Sequence, residues 1–536
     1  MGERRILAGL LGAMLIGIAP AREVDVLITG GTLHDGSGAA GRQADIGLLG
    51  DRIAFIGNAA SAGVSGRRRI DASGLIVAPG FIDPHTHVDT ELHSPRRAQR
   101  ANVGYLTQGV TTVVVGNDGG GEPAVADTLS KLESAGIGTN VATFVGFGPV
   151  RKSVMGESSR PPSDAELARM RKLVARGICE GALGFSTGLY YAPQSFARTE
   201  EVIALAREAG SRGAIYETHL RDEGSESIGL LAAVEEALRI GRESGAAVHI
   251  AHIKALGVDV HGLSGEVIAL IEAERARGLQ VSADQYAWLA SGTRVSNALV
   301  PRWVMDGGRK KMRERLRDEA LAGRIRQEMA DNLRRRGGAQ SLLLTSGPWR
   351  GMTLSDLARE QRVDAIDAAV RIVLEGDARV ASFIMDERDV KAFMAQPWVV
   401  SSSDGSTGHP RKFASFPLKF ARYVRQEKLL DTAEFIRRSS ALTAGILGIP
   451  ERGLLRVGHF ADVIVFDPEK FRPAATYESP EELTPGVVYA FVNGEAAIDA
   501  GKPTLALAGR AIRREPPAGT CGTRDDRARQ EKSLSH

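Results

Sequence analysis

Short runs of apolar, β-branched residues recur through the middle of this chain, and segments of helix length lie between most of them. The runs cover 110–116, 139–147, 182–186, 214–218, 246–251, 279–283 and 399–401, with an opening run that ends just before His85. Strands that alternate with helices are built as parallel sheet, because each crossover returns the chain to the same edge direction. Counting the opening run, eight such units predict an α/β fold, most simply a (β/α)8 TIM barrel with its active site at the C-terminal ends of the strands. The clearest intervening helix is predicted over 225–245. Ile228, Leu231, Val234 and Leu238 lie on one face, with Ser225 as N-cap and Gly245 as stop. The repeat is interrupted once, over about 300–395, which reads as an insertion over the barrel mouth. Its Arg309–317 and Arg334–336 clusters read as solvated helix faces.

The flanks have a different texture. Residues 24–73 alternate in short runs split by Gly30-Gly31 and Gly50-Asp51, and residues 461–494 repeat the pattern up to a hairpin signal at Asn493-Gly494. These two pieces predict a small β-sandwich built from both chain ends, over 22–74 and 450–512, around a catalytic region over 75–449. Residues 513–536 are polar and predict a disordered tail. At the N-terminus, Arg4 and Arg5 precede an apolar run over 6–18 and the small-x-small pattern Ala19-Pro20-Ala21. That reads as a signal peptide over 1–21 and an exported protein, periplasmic or secreted, with no membrane segment in its mature form.

Composition narrows the partners. A net charge of +3 and an aromatic content of 5% leave no basic surface or stacking platform for nucleic acid, so a small-molecule substrate is expected. The two cysteines, Cys179 and Cys521, supply neither a disulfide framework nor a thiolate zinc site, and Cys179 reads as a small buried hydrophobe.

The chemistry sits where the strands end. His85 and His87 close the opening strand, two residues apart, so both rings point to one side if the segment is extended. Asp118 follows the second strand, His219 the fifth, His252 the sixth and Asp404 the eighth. Four imidazoles and two carboxylates at the strand ends of one barrel make a convergent nitrogen and oxygen donor set that suits zinc. Asp118 has an alternative role, as cap of the helix after it. His249 is out of phase with His252 and is not expected among the ligands.

Taken in order, these pieces resemble the amidohydrolase superfamily, and within it the N-acyl-D-amino-acid deacylases. The resemblance rests on Pro79-Gly-Phe-Ile-Asp-Pro-His-Thr-His87, Gly181-Ala-Leu-Gly-Phe-Ser-Thr-Gly188, Thr218-His-Leu-Arg-Asp-Glu-Gly224, Ala283-Asp-Gln-Tyr286, Ser403-Asp-Gly405 and His409-Pro-Arg411. It implies one or two Zn2+ ions, held by the residue after strand two together with His219 and His252, and at a second position by His85 and His87. It implies Asp404 as proton shuttle, and Lys254, Tyr286, Ser291 and Arg411 as partners of the substrate's α-carboxylate. Arg411 can bind a carboxylate in bidentate fashion. Arg221 and Glu223 are expected to support His219 from behind. Family members carry cysteine where this chain has Asp118, a harder ligand, and the loop from Asp404 to Arg411 is shorter here. The activity implied is metal-dependent hydrolysis of N-acyl-D-amino acids. Its rivals are a cyclic amidase, which often needs a bridging lysine after the third or fourth strand (only Lys152 is near), a dipeptidase for D-residues, and a binding protein with a relic site.

Overall fold

Eight parallel strands carry the site in the computed structural model, which describes residues 22–521. They are β1 (Phe81–Asp83), β2 (Val110–Val115), β3 (Asn140–Thr143, continued beyond Phe144 by Val145–Gly146) and β4 (Gly184–Gly188), followed by β5 (Ile215–His219), β6 (Val248–Ile250), β7 (Val281–Gln285) and β8 (Val399–Ser401). Two sheets result. β1, β2 and the first part of β3 form one; the second part of β3 and β4 to β8 form the other, and every pairing is parallel. The two sheets therefore share the interrupted strand β3. At their other edges, Thr86 and Gly405 form a parallel bridge, Asp404 N–H donates to the His85 carbonyl at 2.9 Å, and His87 N–H donates to the Gly405 carbonyl at 3.0 Å. These residues follow β1 and β8 directly, so backbone pairing alone brings His85, His87 and Asp404 together.

Helices cover the outside of the strands. Val145, Phe185, Tyr216, Val248 and Val281 belong to one buried cluster with Leu129, Val174, Val202, Val234 and Ile271 of the helices. The helix expected over 225–245 spans Leu230–Ser244 and stops at Gly245 in the left-handed conformation, φ 73°. Its expected start is displaced. The Asp222 carboxylate accepts from the backbone N–H groups of Gly224, Glu226, Ser227 and Gly229, and this turn holds 224–229 out of the helix. Ser225 bonds Asp259 instead of capping, and Ile228 is exposed.

The chain ends make two further sheets. Arg52–Gly57, Asp45–Leu49, Arg22–Thr29 and Val64–Asp71 form one; the other interleaves N-terminal strands with C-terminal ones and pairs Ile76–Pro79 antiparallel with Val463–Phe466. Ile28, Ile46 and Leu48 of the first share a buried cluster with Val77, Val465 and Phe491 of the second. The apolar run before His85 is thus divided. Ile76–Pro79 belongs to the terminal sheet and Phe81–Asp83 to the parallel one, with Gly80 between them, where a Cβ would lie 2.1 Å from Thr111 Oγ1.

The insertion starts earlier than the sequence suggests. Ala290–Arg294 pairs antiparallel with Arg379–Phe383, which pairs with Leu342–Leu344, and this sheet carries its own core around Val295, Leu299, Met329 and Ile372. Its basic clusters are not all solvated faces. Arg336 is 2% exposed, donating to Tyr190 Oη at 2.8 Å and pairing with Glu226 at 3.0 Å.

Two expectations about the C-terminus and the cysteines are overturned together. Residues 513–521 are held in place. Arg513 pairs with Glu133 at 2.9 Å, Arg514 N–H donates to the Gly181 carbonyl, and Cys521 forms a disulfide with Cys179 at the end of helix Asp164–Cys179. Polar composition gave no sign of this because each anchor, an ion pair, a backbone hydrogen bond and a disulfide across a sequence separation of 342, depends on a distant segment. Residues 522–536, and the predicted signal peptide over 1–21, lie outside the described residues. Among those described, no helix is long and apolar enough to cross a membrane. Cys521→Ser is expected to lower stability by about 2–4 kcal/mol, read as a lower thermal midpoint that reductant no longer shifts. An unchanged midpoint would show the crosslink to be idle.

Candidate metal centre and active site

The ligand-type residues converge as their strand positions require. Asp118 stands at the centre: its Oδ1 lies 3.4 Å from His252 Nε2, 3.5 Å from His85 Nε2 and 3.8 Å from His219 Nδ1, and its Oδ2 lies 3.5 Å from His87 Nε2. His219 Nδ1 is 2.8 Å from His252 Nε2. Asp404 Oδ1 closes the ring, 3.2 Å from His87 Nε2 and 3.8 Å from His85 Nε2. Asp118 caps nothing, since the next helix begins at Val125 without a side-chain cap. His85, His219, His252 and Asp404 are all nearly inaccessible to solvent.

Two features say what this arrangement is built for. Both ring nitrogens of His85, Nε2 of His219 and Oδ1 of Asp118 are buried with no hydrogen-bond partner. Such groups cost free energy unless something satisfies them. A divalent cation with nitrogen and oxygen ligands would satisfy the two that face the donor ring, His85 Nε2 and Asp118 Oδ1, while His85 Nδ1 faces Glu217 and Asp284 and His219 Nε2 faces Glu223. The residues present therefore fit a metal. Secondly, Asp118, His252 and Asp404 all have positive φ, at 55°, 35° and 47°. Side-chain-bearing residues rarely adopt that conformation, and it costs of order 1–3 kcal/mol at each site. The tight turn after each strand aims the functional group back over the strand ends, and packing must offset the strain.

Beneath this ring lies a polar floor that sequence reasoning did not find. Glu217 Oε1 and Asp284 Oδ2 each lie 3.7 Å from His85 Nδ1, and Asp83 accepts from the His85 and Ser403 backbone N–H groups. His249, out of phase with the ligands as expected, bonds Asp284 at 3.1 Å and Ser282 at 2.8 Å. Burial pushes the Asp83 carboxyl up to about 7 and Glu217 well above its ordinary value. For Asp284, burial acts in the same direction but His249 and His85 outweigh it, and its carboxyl is held well below the usual range. A signal was present: Asp83 and Glu217 each precede a ligand histidine by two residues, so they share its face one layer deeper.

The supporting residues divide. Glu223 Oε1 lies 3.1 Å from His252 Nδ1 and its Oε2 lies 3.7 Å from His219 Nε2, so one carboxylate orients both rings. Lys254 Nζ donates to Glu223 Oε1 at 2.6 Å and lies 2.6 Å from His252 Nδ1. Its ammonium is thus committed to this group as well as facing the cavity. Arg221 does not support His219. Glu236 holds its guanidinium at 2.8 Å, and it donates to the carbonyls of Ser195 and Ala197.

The opposite wall is cationic. Arg411 is 1% exposed; its Nη1 lies 2.8 Å from Asp404 Oδ2, its Nη2 donates to Ser406 Oγ at 3.3 Å, and its Cζ stands 4.9 Å over the Tyr286 ring. Burial pushes the Asp404 carboxyl up, but Arg411, His87, His252 and His85 together hold it well below the ordinary range. Arg411 Nε, Tyr286 Oη and Ser291 Oγ are buried without partners, three donors open to one acceptor. They face the same cavity of about 300 Å3 as the metal-type ligands. The insertion walls that cavity through Arg294, Asn297, Arg336 and Arg379, and fixes Tyr190 there by a 2.7 Å bond to the Asn297 carbonyl. No lysine ends β3 or β4, and Lys152 is on the surface, paired with Glu157 at 2.9 Å.

Residues 68–498 match the amidohydrolase family. The D-aminoacylase of Alcaligenes xylosoxydans xylosoxydans is 35% identical over 520 residues, covering 91% of this chain and 98% of that protein. An N-acyl-D-glutamate deacylase of the same organism is 33% identical over 523 residues, covering 92% and 97%. Among solved structures, the N-acyl-D-glutamate deacylase of Bordetella bronchiseptica, complexed with zinc and a phosphonate mimic of the tetrahedral intermediate, superposes with a TM-score of 0.78 at 31% identity, over 92% of this chain and 100% of that one. The fold is that of the amidohydrolases, and the chain belongs to the amidohydrolase family, in the branch that holds the D-aminoacylases and N-acyl-D-amino-acid deacylases.

Proposed function

We propose that this protein is a zinc-dependent N-acyl-D-amino-acid deacylase, which hydrolyses the amide bond to release a D-amino acid and a carboxylate. The observation that carries this is the bridge made by Asp404. One oxygen lies 3.2 Å from His87 in the donor ring and the other 2.8 Å from Arg411 in the carboxylate-binding wall. A substrate held by its α-carboxylate at Arg411, Tyr286 and Ser291 therefore presents its amide beside Asp404 and the donor ring. Relatives with these activities, similar over nearly the whole chain, support the reading and supply the D-configuration.

His219, His252 and Asp118 would hold one zinc ion, and His85, His87 and Asp404 surround a second position. When bound, zinc lowers the pKa of water to about 7 and polarises the scissile carbonyl. The residues do the rest. Arg411, Tyr286 and Ser291 fix the substrate so that its carbonyl meets the attacking water in one orientation. Asp404, ionised because its cationic neighbours outweigh its burial, takes the proton as the water oxygen bonds to the carbonyl carbon. It then delivers that proton to the nitrogen as the carbon–nitrogen bond breaks. Glu223 keeps the His219 and His252 rings in place.

The same reading takes the two parallel sheets as one (β/α)8 barrel. The shared strand β3 and the Thr86–Gly405 bridge support closure. It takes the two terminal sheets as a β-sandwich domain made from both chain ends, supported by their common buried cluster. Export is part of the proposal. The charged, apolar and small-residue pattern before Arg22 and the Cys179–Cys521 disulfide are both features of proteins in oxidising compartments. Protein recovered from the periplasm or medium should begin near Arg22 by intact mass.

The deciding experiment is a hydrolysis screen of the zinc-loaded protein with N-acetyl-D- and N-acetyl-L-amino acids, dipeptides and hydantoins. Release of D-amino acids from the N-acetyl-D series is expected; release only from hydantoins or L-substrates would sink the proposal. Asp404→Asn should lower kcat by about 10²–10⁴-fold with zinc content retained, and a variant of full activity would place the shuttle elsewhere. Arg411→Ala should raise KM for the free acid far more than for the substrate's carboxamide. Equal damage to both would remove Arg411 from that role.

A further inference from the structure

The cavity wall carries two guanidinium groups that the catalytic reading does not use. Arg294 and Arg379 are directly opposite each other in the antiparallel ladder that opens the insertion, and both line the cavity. Like charges placed directly across a ladder destabilise it, so such a pair calls for a compensating anion. None stands within ion-pair distance among the described residues, and Glu91, the carboxylate that acts on Arg379 from further away, is held by Lys412. Among the described residues, neither side chain has an ion pair or side-chain hydrogen bond, although the neighbouring cations are all matched. Arg336 pairs with Glu226, Lys254 with Glu223, Arg411 with Asp404, and Lys412 takes up Glu91. Burial and repulsion by Arg294 and Arg411 also pull the Arg379 guanidinium below its ordinary proton affinity.

The position of the pair relative to Arg411 follows from the ladder. A Cβ built on Gly292 would lie 3.0 Å from Arg411 Nη2, so this glycine is where the strand passes the α-carboxylate clamp. Arg294 is two residues further along the same strand, on the same face and about 7 Å away. The pair therefore stands on Arg411's side of the cavity. From there it can reach a group attached to the same carbon as the α-carboxylate, whereas the acyl chain leaves from the other side of the scissile bond.

We propose that Arg294 and Arg379 form a second carboxylate subsite, which selects N-acyl-D-amino acids whose side chain ends in a carboxylate. This rests on the deacylase reading and narrows its substrate. Two guanidinium groups can bind one carboxylate through several charge-assisted hydrogen bonds. A neutral side chain of the same shape would leave both cations in the wall without a counter-charge, which is the basis of rejection.

The test compares kcat/KM for N-acetyl-D-glutamate, N-acetyl-D-glutamine, N-acetyl-D-leucine and N-succinyl-D-leucine in the zinc-loaded wild type and in Arg294→Gln, Arg379→Gln and the double variant. The glutamate to glutamine ratio should be about 10² in the wild type, fall with added salt, and approach one in the double variant. Both single variants should melt no lower than the wild type, because each removes a like-charge contact. A wild-type ratio near one, or a high ratio that survives the double substitution, overturns the proposal. Preference for the succinyl substrate, lost in the variants, overturns the side-chain assignment by moving the second carboxylate to the acyl end. If no D-substrate is cleaved, the deacylase reading fails, and calorimetric binding to Asp404→Asn still decides this one. N-acetyl-D-glutamate must then bind at least about tenfold more tightly than N-acetyl-D-glutamine, and equal binding refutes the subsite.

Discussion

Buried donors without partners are the constraint around which this structure is arranged. His85 Nε2 and Asp118 Oδ1 face each other at 3.5 Å, and neither has a hydrogen-bond partner. Burying such groups costs free energy, and the cost is offset only if a shared cation pairs with them. Their positions are held from several directions. Backbone pairing across the seam sets His85, His87 and Asp404 against one another. Glu223 orients His219 and His252 from behind, and left-handed turns at Asp118, His252 and Asp404 aim the chain ends inward. A site so restrained loses little freedom when it binds metal and substrate.

The polar floor extends the same logic inward. Asp83, Glu217, Asp284 and His249 occupy strand positions that would otherwise carry apolar side chains, and all are inaccessible. Their environments push their carboxyls apart: Asp83 and Glu217 rise with burial, while Asp284 is kept low by two imidazoles. Burial raises a carboxyl unless neighbouring imidazoles outweigh it, and for Asp284 His249 and His85 do so.

The insertion converts a general hydrolytic centre into a selective one. Its strands bring Arg294 and Arg379 to the cavity, its Asn297 carbonyl fixes Tyr190, and Arg336 locks the same tyrosine from the other side. The metal-type ligands lie on the short turns after parallel strands, where little can move. Arg294 and Arg379 lie on a separate small sheet with its own core, which also carries Ser291 of the α-carboxylate clamp.

Much of the site was legible in the order of residues alone, because a strand repeats every two residues. His85 and His87 share a face for that reason, and the recurrence of His219, His252 and Asp404 at strand ends pointed to one centre. The same period, applied one step deeper, would have found Asp83 and Glu217. Other features carry no local signature. The start of the helix at Leu230 depends on the Asp222 carboxylate gathering four backbone N–H groups, the Cys179–Cys521 bond joins distant segments, and Arg221 turns to Glu236 instead of His219. Residue type and short-range periodicity were enough to predict the class of fold and to bring the donor set together, whereas the kind of reaction was implied by the resemblance of the motifs to a known family. Tertiary structure decided which cations remain unmatched, and so which substrate the wall favours, because a charge is paired or unpaired only by neighbours that distant parts of the chain bring to it.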